Sequence, residues 1–170
     1  MKEKEFHKKI RHIIRSEEYR GMRHYRHHVK GNVYDHSVKV ARMCWRHHRR
    51  FGSKFDLDSF IRGALLHDYY LYDWHDRDPS HRFHGFTHPR RALNNALRKY
   101  PDLTETERDM ILHHMFPLTP VPPKTRAGWL LCFYDKIAAL SDYFGENRWK
   151  AEHPSEPEKG IRRNPKDSVR

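Results

Sequence analysis

The chain has 170 residues, of which 13% are aromatic, and a formal net charge of +12 at pH 7 with its 16 histidines counted as neutral. This length is typical of one compact domain, and the aromatic content argues against a disordered chain. No run approaches the roughly 18 to 20 apolar residues of a membrane span, and the N-terminus lacks the apolar segment of a secretory signal. We therefore expect a cytoplasmic protein without a membrane segment. Its basic charge predicts an anionic partner: a phosphate, a nucleotide or a nucleic acid.

Hydrophobic spacing predicts helices along the first half of the chain. Apolar side chains recur at helical intervals in residues 3–20 and 35–50, and residues 58–69 form the most apolar stretch. Residues 21–31 read as a basic, histidine-rich connection. Residues 71–87 show no periodicity, which predicts a loop.

The second half of the chain carries clearer start signals. A helix over residues 89–99 is predicted to begin at a proline, because proline suits the first helical turn. Thr104 and Glu107 have the spacing of a capping box, which predicts the start of the next helix. A proline-rich connection follows, and residues 128–144 form the last strongly apolar helix.

No segment alternates with period two for long enough to predict a strand. The fold class is therefore all-α, a bundle of about five or six helices joined by short connections. We expect a single domain over residues 1–148. The polar and charged residues 149–170 are predicted to be a disordered tail.

Several ligand-type side chains lie on apolar helix faces or at helix ends. Each of them taken alone is more often an ordinary core residue or a helix cap. A buried imidazole or carboxylate is nevertheless costly unless it is paired, hydrogen-bonded or bound to metal, and bundles build dinuclear sites from facing helices. Four or five imidazoles with two carboxylates favour a transition metal over calcium or magnesium. The candidate ligands are His36, His67, Asp68, His88, His113, His114 and Asp135.

The order of these residues resembles the HD-domain superfamily of metal-dependent phosphohydrolases. That pattern is a histidine, an adjacent His-Asp doublet, one or two further histidines and a late aspartate. The local segments YDHSVKVA, IRGALLHD, GFTHPRRA, ILHHMFPL and FYDKIAAL resemble the corresponding parts of the family. The resemblance spans about residues 24–145 and implies an HD-type helical bundle with a dinuclear metal site in its core. It is specific for the superfamily and not for a substrate.

The resemblance also implies a division of the ligands between two divalent ions. The first ion would be held by His36, His67, Asp68 and Asp135, and the second by Asp68, His88 and one or both of His113 and His114. We favour His114, because it follows Met110 and Ile111 on the apolar face of its helix. Iron or manganese is the favoured metal, with cobalt, nickel or zinc as alternatives.

Two departures from family patterns narrow the expected activity. Subfamilies that cleave cyclic dinucleotides often carry a glycine and a lysine soon after the doublet, where this chain has Tyr69, Tyr70 and Leu71. Some trinuclear relatives have a glutamate four residues before the first histidine, where this chain has Asn32. We therefore expect neither cyclic-dinucleotide specificity nor a trinuclear site.

The implied chemistry assigns catalytic roles to three residues. Two ions would lower the pKa of a shared water so that hydroxide attacks phosphorus at neutral pH, and Asp68 would bridge these ions. His84 would donate a proton to the leaving group, and Lys136 would neutralise charge on the phosphoryl oxygens.

Substrate contacts are predicted next to these groups. Arg90 and Arg91 would lie in the first turn of a helix, whose free N–H groups also favour anions. His28 would reach the mouth of the site from the basic connection, whereas His24, His27 and His81 are expected to be solvated. The aromatic residues after the doublet, including Trp74 and Tyr72, could stack on a nucleobase, although packing is their commoner role.

The sequence is therefore compatible with three functions. The leading one is a phosphohydrolase acting on a nucleotide or another small phosphate ester. The alternative is a mixed-valent di-iron oxygenase, because the same scaffold and nearly the same ligands serve that chemistry. The last is a non-catalytic module that binds nucleic acid, for which salt-sensitive binding would be expected.

Overall fold

The computed structural model describes residues 2–27, 31–76 and 78–143. Within these ranges the chain forms seven α-helices and no β-strand, which confirms the all-α prediction. The helices are α1 (Lys2–Ile14), α2 (Glu17–Gly21), α3 (Val33–Phe51), α4 (Leu57–Leu66), α5 (His84–Lys99), α6 (Glu105–His113) and α7 (Arg126–Tyr143). Among the described residues, no helix has the length and apolar character that crossing a membrane requires. The predicted tail at 149–170 lies outside the described residues.

The first predicted helix is divided in two. Residues 3–20 were expected to be continuous, but α1 ends at Ile14 and α2 begins at Glu17. Ser16 lies between them with extended backbone, and its side chain accepts a hydrogen bond from the Tyr19 N–H group. A serine in this position caps a new helix, which explains why the described residues form seven helices instead of the predicted five or six.

Helix α3 begins slightly earlier than the hydrophobic spacing predicts. The side chain of Asn32 accepts a hydrogen bond from the Asp35 N–H group at 2.8 Å and so caps the helix N-terminus. The helix ends at Phe51 and is followed by Gly52, whose φ of +69° lies in a region that suits glycine. Its buried side faces the centre of the bundle and includes Val40 and Cys44.

Helix α5 begins at His84, so the prediction of a helix start at Pro89 was wrong. The proline lies inside the helix instead of in its first turn. The N-terminal turn contains glycine and histidine, which are weak helix formers, and it shows no apolar period. Its stability comes from packing, because the His84 ring stacks on Trp74 at 4.9 Å and on His88 at 4.6 Å.

Helix α4 lies at the centre of the bundle, between α3 on one side and α6 on the other. Gly63 allows α6 to approach closely, since a Cβ atom at this position would lie 2.8 Å from the Met110 sulfur. Helix α7 packs against both α3 and α6, and α5 packs against α6. The residues that follow α4 therefore lie where four other helices meet.

Candidate metal centre

The end of α4 places a histidine and an aspartate deep inside the bundle. His67 follows the last helical residue and is fully buried, and Asp68 is 4% exposed. The His67 Nδ1 atom is hydrogen-bonded to the Ala64 carbonyl oxygen at 2.8 Å. This bond orients the ring and leaves its Nε2 atom directed at the neighbouring carboxylates, which is the arrangement found in metal-ligating histidines.

A first group of ligand atoms joins α3, the end of α4 and α7. The Asp135 Oδ1 atom lies 2.9 Å from His36 Nε2 and 3.4 Å from His67 Nε2. The Asp68 Oδ2 atom lies 3.5 Å from the same His67 nitrogen. Ligand atoms of His36, His67 and Asp135 lie within 4.8 Å of one another, which is close enough for one metal ion. We call His36, His67, Asp68 and Asp135 the first position.

A second group joins the end of α4 with α5 and the end of α6. The Asp68 Oδ1 atom lies 3.2 Å from His88 Nε2 and 3.4 Å from His114 Nε2. The two imidazole nitrogens are 2.9 Å apart. Their Nδ1 atoms are bonded to the carbonyl oxygens of His84 and Ile111, so both rings present Nε2 to Asp68. We call Asp68, His88 and His114 the second position.

The donor atoms fit divalent transition-metal ions. His67 Nε2 and Asp68 Oδ1 are buried and make no hydrogen bond within the described part of the chain. Such atoms are costly to bury unless an ion or another group satisfies them. Imidazole nitrogens combined with carboxylate oxygens are the ligands that iron, manganese, cobalt and zinc accept. Asp68 directs one oxygen at each position, as a bridging carboxylate would.

His36 is held from its other side by a second carboxylate of α7. Its Nδ1 atom lies 3.3 Å from Asp142 Oδ2, and Lys39 donates to the other oxygen of Asp142 at 2.7 Å. A carboxylate behind a ligating imidazole orients the ring and raises its basicity. Sequence reasoning missed Asp142, although it follows Asp135 by seven residues and therefore lies on the same face of α7.

The electrostatics of the cluster favour ionised carboxylates. Burial raises the pKa of Asp68 and Asp135, but the surrounding histidines outweigh this effect and hold both pKa values well below the usual range. Burial lowers the pKa of His36, but its hydrogen bonds to Asp135 and Asp142 outweigh burial and raise that pKa to about 9. Burial also lowers the pKa of His114, which favours the neutral imidazole that a metal requires.

His27 is a further member of the cluster that sequence reasoning assigned to the solvated surface. Its side chain is buried, its Nε2 atom lies 3.4 Å from Asp68 Oδ2, and its ring stacks on His36 with centroids 3.6 Å apart. No apolar period marks its position, because it lies in the irregular connection before α3. The sequence signal nearest to His27 is Gly31, a glycine that has a φ of +90° just before α3 begins.

Two of the predicted ligands are adjacent in sequence but occupy different environments. His114 belongs to the second position, whereas the His113 Nδ1 atom is hydrogen-bonded to Asp109 Oδ1 at 2.8 Å. Asp109 also accepts hydrogen bonds from the backbone and the hydroxyl of Thr125. The structure therefore brings His114 into the cluster and places His113 in a separate network that joins α6 to the segment before α7.

The remaining catalytic candidates lie on different sides of the cluster. His84 lines the small cleft that leads to Asp68, and its Nδ1 atom is 2.8 Å from the Tyr72 hydroxyl. Lys136 is directed elsewhere. Its ammonium group donates to the His114 carbonyl oxygen at 3.0 Å and contacts the Cys132 sulfur at 3.0 Å. Lys136 thus supports the backbone at His114.

Of the three predicted substrate contacts, two lie within the described residues. Arg90 is exposed, and Arg91 donates to the Ser80 carbonyl oxygen and lies over the Tyr72 ring at 4.8 Å. Because α5 begins at His84, neither arginine is in its first turn, so the expected help from free N–H groups is absent there. His28 lies outside the described residues.

The cleft beside Asp68 is small, with a volume of about 40 Å³. One water needs about 10–15 Å³ on this scale, so the cleft has room for about three water-sized groups. Its walls include Trp74, His84, His88 and Tyr70. Tyr70 is buried with its ring against His84 and His88, and its neighbour Tyr69 is packed in the core against Tyr19.

A larger surface cavity of about 400 Å³ lies elsewhere, between α1 and α4. Its charged side chains are already paired, since Lys9 contacts Asp58 and Arg62 contacts Glu107. The Lys9–Asp58 pair is partly exposed and stabilises the protein by little. Arg62 neutralises the buried Glu107 carboxylate, so neither pair indicates a ligand. The histidine and aspartate cluster is therefore the better candidate site.

Comparison with protein-family models, with curated protein sequences and with solved structures finds no match to this chain.

Proposed function

We propose that this protein is a metal-dependent phosphohydrolase that acts on a nucleotide or another small phosphate ester. The observation that carries the proposal is the position of Asp68, whose two oxygens face two separate groups of buried imidazoles. The resemblance of the ordered ligand set to the HD-domain superfamily supports the same activity. We expect this enzyme in the cytoplasm, consistent with two buried free thiols, Cys44 and Cys132.

In this proposal the cluster holds two divalent transition-metal ions, with iron or manganese favoured. His36, His67, Asp68 and Asp135 hold one ion, and Asp68, His88 and His114 hold the other. When bound, the ions would provide a hydroxide nucleophile at neutral pH and offset the charge of the phosphoryl oxygens. Backbone carbonyl groups orient the rings of His67, His88 and His114, and the Asp142 carboxylate orients His36. The chain also keeps bulk water out by burying every ligand.

His84 is the proposed proton donor for the leaving group. It lies in the wall of the cleft, and the Tyr72 hydroxyl and the stacked Trp74 ring fix its orientation. A positioned imidazole is suited to this role because its ordinary pKa is near neutrality. The cleft is too small for a whole nucleotide, so only the reacting phosphoryl group would approach Asp68, and the rest of the substrate would lie outside the cleft, near Trp74.

The test begins with metal analysis of protein purified without chelator or affinity-tag metal. We expect close to two transition-metal ions per chain, and hydrolysis of at least one member of a panel of phosphomonoesters, phosphodiesters and nucleotides with manganese added. His67→Ala and Asp68→Ala should lose both properties. His24→Ala, which changes an exposed histidine, should keep them.

Two results would support a different function. Oxygen-dependent turnover of a substrate without phosphate would favour the di-iron oxygenase. Salt-sensitive binding of nucleic acid that survives His67→Ala and Asp68→Ala would favour a non-catalytic module. A wild-type protein without stoichiometric metal would contradict both enzyme proposals.

A further inference from the structure

We propose that His27 is a fifth protein ligand at the first position, in addition to His36, His67, Asp68 and Asp135. This inference rests on the proposed metal centre, but not on the reaction that the centre performs. It assigns a metal-binding role to a residue outside the ordered ligand set that the sequence indicates.

The distances place His27 among the ligands. Its Nε2 atom lies 3.4 Å from Asp68 Oδ2, which matches the 3.4 Å between His67 Nε2 and Asp135 Oδ1. Ligand atoms of His27, His36 and Asp68 lie within 4.8 Å of one another. His27 therefore belongs to the cluster by the same geometric measure as the residues that the ligand pattern names.

The backbone around His27 is anchored in this place. Its N–H group donates to the Gly31 carbonyl oxygen at 3.3 Å, and an isolated antiparallel bridge joins Arg26 to Asn32. The Trp74 ring nitrogen donates to the Arg26 carbonyl oxygen at 3.2 Å. Because Asn32 caps α3, these bonds join the backbone at His27 directly to the start of the helix that carries His36.

The orientation of the His27 ring also points to metal binding. It stacks on His36 at an interplanar angle of 17°, its Nε2 atom lies 3.4 Å from Asp68 Oδ2, and a ring nitrogen of His36 lies within 4.8 Å of both. Stacking alone would be satisfied by any flat ring and would not require a nitrogen at this point. The His27 side chain is only 6% exposed, so its nitrogen is directed into the protein instead of into solvent.

A fifth ligand would make the two positions unequal. The first would have three imidazoles and two carboxylates, whereas the second has two imidazoles and the shared Asp68. The first position would then bind its ion more tightly. The second would keep more coordination sites for water and substrate, as catalytic metal sites do.

The experiment is a titration of the metal-free full chain with Co²⁺, followed by visible absorption, which reports the number and type of ligands. Wild-type protein and His24→Ala should bind in two steps of different affinity. His27→Phe keeps a flat ring but has no nitrogen that could bind metal, and His27→Asn keeps a polar but shorter side chain. Both should weaken the tight step tenfold or more and change its absorption bands, while far-UV circular dichroism remains that of the wild type.

The outcomes separate this inference from the proposed function. If both His27 variants retain the tight step within twofold and the wild-type spectrum, His27 is not a ligand. If the wild-type chain binds no Co²⁺, the proposed metal centre fails and the inference fails with it. If the wild type binds two ions and the His27 variants lose the tight step, the inference stands whether or not any phosphate ester is hydrolysed.

Discussion

Asp142 lies directly behind His36: its Oδ2 atom is 3.3 Å from His36 Nδ1, while the Nε2 atom of the same ring faces Asp135 at 2.9 Å. One imidazole is therefore held between two carboxylates that are two turns apart on α7. Such outer partners fix the tautomer and the orientation of a ligating histidine.

Removal of the Asp142 charge should weaken metal binding without removing a ligand. We expect Asp142→Asn to lower the metal affinity of the first position by about 10–100-fold, as measured by competition with a chromophoric chelator. Ser141→Ala is the matched control, because Ser141 contacts the same Lys39 but leaves Asp142 in place. Equal affinities for the two variants would show that Asp142 does not orient His36.

The adjacent histidines at the end of α6 should respond differently to the same substitution. His114→Ala removes a donor of the second position, so we expect metal content to fall to about half, by elemental analysis. His113→Ala should keep the wild-type metal content. It should lower the free energy of unfolding by about 1–2 kcal/mol, because a partly buried hydrogen bond to Asp109 is lost. Loss of one ion in His113→Ala would reverse this assignment.

Asp109 should make the stability of the protein depend on pH. Burial raises its pKa, but hydrogen bonds from the Thr125 hydroxyl, the Lys124 N–H group and His113 outweigh burial and lower it below the ordinary value. A carboxyl group with a lowered folded-state pKa stabilises the protein above its unfolded-state pKa, and this contribution is lost as pH falls through the folded-state value.

Asp109→Asn tests this contribution in metal-free protein. We expect the variant to be about 2 kcal/mol less stable than the wild type at pH 7, by urea unfolding. The difference should shrink as pH falls below about 4, the ordinary pKa of an aspartate. A difference that is constant between pH 7 and pH 3 would mean that the charge of Asp109 is not what stabilises the fold.

Substitution of His84 should lower the turnover rate and leave the metal content unchanged. If it donates a proton to the leaving group, His84→Gln should lower kcat by about 100-fold or more. Tyr72→Phe keeps the imidazole but removes the hydroxyl that orients it, so a smaller decrease is expected. Steady-state kinetics with the best substrate of the panel, together with metal analysis, measures both effects. If His84→Gln loses metal, the role of His84 is to help hold the metal centre and not to transfer a proton.

The helices were predictable where the signal is local. The capping box of Thr104 and Glu107 starts α6 as expected, with both reciprocal hydrogen bonds present. The apolar period of α4 and α7 is likewise a property of neighbouring residues. Helix α5 was misplaced because its first turn is stabilised by rings from another segment, above all Trp74, and sequence spacing carries no information about such contacts.

The sequence by itself determined that the chain is all-α and that ligand-type residues recur in order at apolar helix ends. Only the tertiary structure decided which of them meet. His36 and Asp135 are 99 residues apart in the chain, yet their ligand atoms lie 2.9 Å from each other. His27 and Asp142 joined the cluster and His113 did not, because these outcomes depend on how the helices pack and on where the chain holds His27 against α3. Local periodicity predicts which face of a helix is apolar. A metal site depends in addition on the distances between side chains that lie on different helices.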